Sequence, residues 1–343
     1  MKKILIISSP FYDYHRSVGR AFETFGYKVH FETYDMPIHP FKGLLKWKHK
    51  FANTNWRERL KAQSRNKFDI HIRQVYNQYQ PNIVFIYNGT ILLDETLDYF
   101  RQKSKVLLWM YDSVLNPRYA RNITHIDHVD AMFCFEKKDV DYYESIGKIS
   151  YFLPLACDDS VYYSIPNQNK DIDIFFVGAI WMSKRRMKIL EMLVNCYPNL
   201  KILIYGKYKP IEKNFLKWLL RKNRNIFTNI NIQPKKVNEF YNRCKVALNI
   251  HHEQTTYGSN QRVFEACGAG AYQICDANPF IEQLFPNGEV GLYHNDEELI
   301  ALIEDALNND KTSQAKEAQQ IILSSHTFVN RVQEMLEILY KLN

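Results

Sequence analysis

Apolar, β-prone runs alternate along the chain with segments whose apolar positions recur at helical spacing. "KILIIS" predicts a strand, Tyr14 to Phe25 a helix, and "YKVHFETY" a second strand. "NIVFIYN", "KVLLWMYD" and "HVDAMFCFE" predict three more strands, followed by a helix around "KDVDYYESIG" and the run "SYFLPLA". The alternation then restarts. "DIDIFFVGAI", "LKILIYGKY", "NINIQ", "KVALNIHH" and "AYQICD" predict strands, and "NGEVGLYHN" follows them. "KRRMKILEMLVNCY", "PKKVNEFYNRC" and "PFIEQLF" predict helices. Short buried strands joined by helices imply parallel sheets with right-handed crossovers. "TFVNRVQEMLEILYKL" closes the chain as an amphipathic helix.

Two such halves predict an α/β protein of two Rossmann-like domains facing a cleft, 1–158 and 159–326, with a linker near 155–170. The last helix, about 327–343, can pack back on the first domain. The length of 343 residues agrees with two domains at ~150 residues each. Hydrophobic residues make up 46% and charged ones 24%, enough apolar mass for two cores. Six scattered cysteines without a C-x-x-C pair read as reduced, mostly buried thiols. The apolar run in "MKKILIISSPF" is too short for a signal peptide. No window reaches the ~18 apolar residues of a membrane span. The expected location is the cytoplasm.

The net charge of +8 is concentrated in "FKGLLKWKHKFANTNWRERLKAQSRNK" and "KYKPIEKNFLKWLLRKNRN". Both interleave cations with Trp, Phe and Leu. They read either as solvated helix faces or as a surface that meets an anionic acceptor or anionic lipid head groups on the inner face of a membrane. No nucleic-acid motif is present, so nucleic acid is not an expected partner.

In open α/β sheets, ligands bind beyond the carboxyl ends of the strands. "GAIWMSKRR" places Gly178 at such an end and Lys184, Arg185 and Arg186 at the next helix start. Cations there disfavour the helix, and an anionic ligand would relieve them. "YGSNQRVFEACGAG" reads as a loop, a helix capped by Ser259, and an exit through Gly268 and Gly270. Its helix N-terminus is a place for an anion. Arg262 adds a cation, and Glu265, one turn on, suits a ribose diol or a pairing with Arg262. "DVD" lies on a helix and "DID" precedes its strand, so neither reads as a metal-binding pair. His251 and His252 alternate across a strand, and His125 and His128 lack a third ligand. No metal is expected.

"FFVGAIWMSKRR", "NIHH…YGSNQRVFEACGAGAYQICD" and "GEVGLYHNDEEL" resemble the C-terminal domain of GT-B glycosyltransferases. Within group 1 they resemble the spore-maturation CgeB-like subgroup, through Asn260, Arg262, Phe264, Glu265, Gly268 to Gly270 and Asp276. "YFLPLACDDSVYY" resembles that family's interdomain linker, and the likeness is specific over about 150–300. The resemblance implies a metal-independent transfer from a nucleoside-diphosphate sugar, with no further cofactor. It implies an acceptor hydroxyl on a glycan, glycolipid or polymer, as in surface polysaccharide assembly. Carried over, Glu265 holds the ribose and Gln233 faces the base. Arg262, the backbone near Gly258, Ser259 and Asn260, and the Lys184–Arg186 cluster with Gly178 hold the diphosphate. A catalytic base belongs in the first half, Asp112 first and His15 second. Many retaining relatives carry a glutamate where this chain has Tyr257, so the stereochemical outcome stays open. A nucleotide-sugar epimerase and a non-catalytic nucleotide-sugar-binding protein remain the alternatives on the same fold.

Overall fold

The computed structural model describes residues 1–10, 13–34, 54–180, 183–207, 226–228 and 232–342. The chain divides into two compact units, Met1–Leu153 with Val332–Asn343, and Pro154–Arg331.

The first unit holds β1 (Lys3–Ser8), α1 (Tyr14–Thr24), β2 (Lys28–Thr33), α2 (Thr54–Tyr79), β3 (Ile83–Tyr87) and α3 (Asp94–Arg101). After these come β4 (Lys105–Met110), a 3-10 helix (Ala120–His128), β5 (Ala131–Cys134), α4 (Lys137–Ser145) and β6 (Tyr151–Phe152). The sheet order is β2-β1-β3-β4-β5-β6, and every pairing is parallel. All five residues of β3 are buried, as a strand covered on both faces requires. Leu5, Ile7, Val84, Ile86, Val106 and Leu108 share one core with Ile72, Leu97 and Phe100 from the helices.

The second unit holds β7 (Ile172–Ala179), α5 (Lys184–Cys196), β8 (Ile202–Lys207), β9 (Ile226–Thr228), α6 (Pro234–Arg243) and β10 (Cys244–Asn249). It continues with α7 (Gln261–Gly268), β11 (Gln273–Asp276), α8 (Pro279–Leu284), β12 (Gly291–Tyr293), α9 (Asp296–Asn308) and α10 (Thr312–Ser325). The order β12-β11-β10-β7-β8-β9 is again wholly parallel. The final helix, α11 (Phe328–Lys341), begins in the second unit and ends in the first, where the Lys2 ammonium donates to the Tyr340 hydroxyl at 3.1 Å.

A strand occupies Ile226–Thr228, and residues 229–231 of the segment "NINIQ", where a strand was expected, lie outside the described ones. The same holds for most of the two basic segments, 41–53 and 208–225. Among the described residues no helix is long and apolar enough to cross a membrane.

Each sheet reverses its strand order once. In the first unit the reversal falls at β1 beside β3, and in the second at β7 beside β10. At such a point neighbouring crossovers leave in opposite directions and open a crevice beyond the strand ends.

Candidate functional site

In the second unit the crevice lies between the ends of β7 and β10. One buried arginine joins these ends. Arg186 donates from Nε to the Ile250 carbonyl and from Nη1 to the Ala179 carbonyl, both at 2.8 Å. Burial brings its guanidinium down to about 10. The basic triplet therefore does not act as one exposed cluster. Arg186 is a clamp on the sheet, Arg185 pairs with Asp276 at 2.9 Å, and Lys184 stays exposed. The reason is helical geometry, which points successive side chains about 100° apart.

The start of α5 is already served by internal groups. Ser183 caps it by accepting from the Arg186 N–H at 3.1 Å. The Glu253 carboxylate accepts from the Ser183 hydroxyl at 2.8 Å and from the Arg185 N–H at 3.4 Å. The relief expected from an anionic ligand comes here from Glu253 and Asp276. Gly178, at the end of β7, leaves room for this arrangement: a Cβ there would lie 3.2 Å from the Phe176 ring and 3.9 Å from Arg186 Nη1.

Asp276, at the end of β11, is the centre of the second cluster. It accepts from the His251 backbone N–H at 2.8 Å and from His251 Nδ1 at 2.9 Å. His251 Nε2 faces the Ser259 hydroxyl at 3.4 Å. Burial pushes the Asp276 carboxyl up, but the His251 and Arg185 contacts outweigh it and leave the group below its ordinary value. Serine, histidine and aspartate in this order resemble a hydrolytic triad. Ser259 is 0% exposed and gives its proton to the Asn260 carbonyl at 2.9 Å, so the set orders a loop and attacks nothing. Sequence reasoning placed His251 and Asp276 at strand ends but did not pair them, because 25 residues separate them.

The cap of α7 differs from the expected one. Asn260 caps the helix, its Oδ1 accepting from the Arg262 N–H at 3.0 Å, while Ser259 turns to His251. Asn260 Nδ2 also donates to Asn249 Oδ1 at 2.8 Å, tying the helix start to the end of β10. Asn278 holds the Gly258 carbonyl at 3.2 Å, and Tyr257 donates to Gln283 at 2.8 Å. Gly270 makes the exit with φ +73°.

Arg262 and Glu265 form an ion pair one turn apart. The Arg262 side chain is 13% exposed and that of Glu265 0% exposed. Of the two readings the sequence offered for Glu265, the structure shows the pairing with Arg262, and the Glu265 carboxylate is buried. Its enclosed charge holds Arg262 in place, and the ribose role would require that pair to part. Tyr162 and Tyr241 lie close to the pair, and burial raises both phenols. Gln233, expected at the base, is an exposed residue just before α6 that makes no side-chain cap.

In the first unit the crevice lies between the ends of β1 and β3. Asp112 follows β4 and accepts from Asn88 Nδ2 at 3.4 Å. The Ser9 and Tyr111 hydroxyls are 3.0 Å apart. His15, the second candidate base, is 5% exposed, with its ring edge-on to Phe31 at 5.6 Å. Burial, against the Asp13 carboxylate and with the Arg16 cation, lowers its pKa. The lowered value makes this imidazole a weaker base than an ordinary histidine.

The residues that might have suggested metal are engaged structurally. His125 and His128 hold Asp94 at 2.6 Å and Asp98 at 2.9 Å, fastening the 3-10 helix to α3. Asp171 pairs with Arg243 and Lys201, and Asp173 with Lys245. Asp139 accepts from the Ser113 hydroxyl at 2.5 Å and the Val114 N–H at 3.2 Å.

The comparisons with known proteins bear on the fold. The chain has the α/β fold of GT-B glycosyltransferases, two Rossmann-like units each built on a parallel sheet. Residues 185–337 match a family described as glycosyl transferase-like. The chain is similar to sucrose-phosphate synthase from Thermosynechococcus elongatus, with a TM-score of 0.71 at 14% identity over 100% of this chain and 99% of that one. It is also similar to Anabaena Alr3699/HepE, solved with UDP and glucose, with a TM-score of 0.64 at 12% identity over 99% and 100%. A putative UDP-N-acetylglucosamine 2-epimerase from Listeria monocytogenes shares the fold, with a TM-score of 0.60 at 14% identity over 100% and 98%. No curated protein matches the chain.

Proposed function

We propose that this protein transfers a glycosyl group from a nucleoside-diphosphate sugar, bound by the second unit, to an acceptor hydroxyl bound by the first. The observation that carries the reading is the β7–β10 crevice. There Arg185, Arg262 and the capped start of α7 gather in the segment that matches the glycosyl transferase-like family. Departure of a nucleoside diphosphate needs fixed positive charge and N–H dipoles where negative charge develops. Arg262, anchored by Glu265, is the side-chain cation in this scheme, and Lys184 and Arg185 add to the field. Gly258 and Asn260 bring the backbone close, and Asp112 serves as acceptor-side base. The scheme requires no metal, so activity should survive EDTA.

The acceptor belongs to surface polysaccharide or glycoconjugate assembly in this reading, and the protein works in the cytoplasm, against the inner face of the membrane where its basic segments meet anionic lipid. The CgeB-like subgroup supplies the motif pattern behind it. A second reading, nucleotide-sugar epimerisation, draws on the shared Listeria fold. One experiment separates them. UDP, GDP, CDP, dTDP and ADP are ranked by thermal shift, where ligand at ~100 times its Kd adds about 2.7 kcal/mol. The sugar nucleotide of the best base is then incubated with a mixed glycan acceptor. Free nucleoside diphosphate plus an extended glycan supports transfer. An epimerised sugar nucleotide without extension supports the second reading, and no shift with any nucleotide removes both.

A further inference from the structure

We infer that the amino-terminal rim of the first sheet is a docking surface for an anionic lipid bilayer. This rests on the membrane part of the proposed function, and it names a surface distinct from the two basic segments. Parallel strands joined by helices all begin at one end of the sheet, and the helices between them finish there. Across the order β2-β1-β3-β4-β5-β6, that end carries Lys28, then Lys2 and Lys3, then Lys103 and Lys105, and last Lys148. Backbone hydrogen bonds keep the strand starts level. The Lys28 N–H donates to the Lys2 carbonyl at 2.8 Å, the Asn82 N–H to the Lys3 carbonyl at 2.8 Å, and the Lys105 N–H to the Asn82 carbonyl at 3.0 Å. The end of α11 joins the rim through Tyr340, whose hydroxyl accepts from the Lys2 ammonium.

Twelve large apolar side chains are exposed among the described residues, and six of them lie on this rim. They are Met1, Phe25 after α1, Ile146 and Ile149 before β6, and Tyr340 and Leu342 at the end of α11. Ile149 is 77% exposed. Helix C-termini favour cations by themselves, which accounts for lysine here but not for bare isoleucine and phenylalanine beside it. The charge is not cancelled locally. Lys148 pairs with Asp127, and Arg101 and Lys105 each lie 3.8 Å from Asp130. Lys2, Lys3, Lys28, Lys103 and Lys341 then stand against Glu23, Glu144 and Glu337, a positive surplus. Six strands at ~4.8 Å spacing give a rim with its lysines spread along it and apolar groups near both ends. Its extent calls for a broad, flat partner. Lipid phosphates meet the ammonium groups, and the aliphatic and aromatic groups enter the interface below them.

The test is sedimentation of the full chain with vesicles of phosphatidylcholine alone, and of equal parts phosphatidylcholine and phosphatidylglycerol. One variant, Lys2→Glu with Lys28→Glu, reverses charge on the rim. A second, Ile146→Ser with Ile149→Ser, removes its apolar contact. A third, Lys42→Ala with Lys46→Ala and Lys48→Ala, alters a basic segment and leaves the rim intact. Thermal melts confirm that each variant is folded. The parent should bind the mixed vesicles at least tenfold better than the neutral ones, and each rim variant should lose roughly tenfold or more. High salt should erase the deficit of the charge variant and leave that of the isoleucine variant. Rim variants that bind like the parent, or a loss confined to the basic-segment variant, overturn the inference. So does a loss in the charge variant with none in the isoleucine variant, which marks a general anion-binding surface. A parent that binds neither vesicle overturns the rim and the membrane location together. The transfer reading is judged separately, by nucleotide thermal shift and glycan extension, and survives that result.

Discussion

Asp276 accepts two hydrogen bonds from His251, one from the backbone N–H at 2.8 Å and one from Nδ1 at 2.9 Å, and so joins the ends of β11 and β10. His251 is 1% exposed, so water cannot replace the lost acceptor. Asp276→Ala should cost about 2–4 kcal/mol, the penalty for buried donors left without a partner. Asp276→Asn retains an acceptor oxygen and should cost clearly less. Urea unfolding of the three proteins gives the comparison, and equal midpoints would show that the cluster contributes nothing to stability.

The Arg262–Glu265 pair predicts an asymmetry. Arg262→Ala strands an enclosed carboxylate and should cost about 3–5 kcal/mol. Adding Glu265→Gln to it should recover part of that loss, and a double-mutant cycle measures how much. The binding consequence has its own direction. In the Glu265→Gln protein, which keeps the arginine but loses its anchor, nucleoside diphosphate affinity should fall while the bare nucleoside is little affected, because only the diphosphate carries charge for Arg262. Parallel losses for both ligands would mean that Glu265 does contact the ribose.

His326 makes the second unit sensitive to acid. Burial, and then the Arg331 guanidinium, bring its pKa down to about 4 from an ordinary 6.5. Arg331 Nη2 lies 2.5 Å from His326 Nδ1, and its Nε donates to the Pro154 carbonyl at 2.8 Å. The unfolded chain therefore binds the extra proton first. Stability is fully present above pH 6.5 and falls as pH drops toward 4, by of order 3 kcal/mol. His326→Asn keeps an acceptor for Arg331 and cannot titrate. Relative to the parent, it should gain stability between pH 6.5 and 4.5 in urea titrations. Parallel pH profiles would remove His326 from the acid response.

Asp139 acts in the opposite sense in the first unit. Burial raises its carboxyl to about 6, against the Ser113 and Val114 hydrogen bonds that lower it. The folded state holds the proton longer, so this group's contribution declines as pH rises from about 4 to 6, by of order 3 kcal/mol. Asp139→Asn can still accept from the Val114 N–H and removes the titration. Its stability relative to the parent should therefore improve on going from pH 4 to pH 7. A constant difference over that range would show that the carboxyl titrates normally.

How much of this was legible beforehand follows the distance between partners. The continuous apolar runs at Ile83–Tyr87 and Lys105–Met110 read as strands buried on both faces, and the structure pairs them in a parallel sheet. The exit at Gly270 was also readable, because a left-handed turn after a helix is a local demand on one residue. The choice between Ser259 and Asn260 as cap was not. Both types cap well, and what decides it is His251, eight residues back on another element, which takes the serine.

The sequence by itself determined the alternation of strands and helices, the restart of that pattern in a second half, and the presence of arginine, glutamate and asparagine at the strand ends. These follow from periodicity and local backbone preference, which act over a few residues. Only the tertiary structure decided the fate of each charge. Arg186 became a clamp because the carbonyls of Ala179 and Ile250 meet at adjacent strand ends. Glu265 was withdrawn from solvent with Arg262, and Asn88 was left with an unmet oxygen beside Asp112. Burial and hydrogen-bond partners are properties of chain segments brought together from far apart, and no local pattern in the sequence records them.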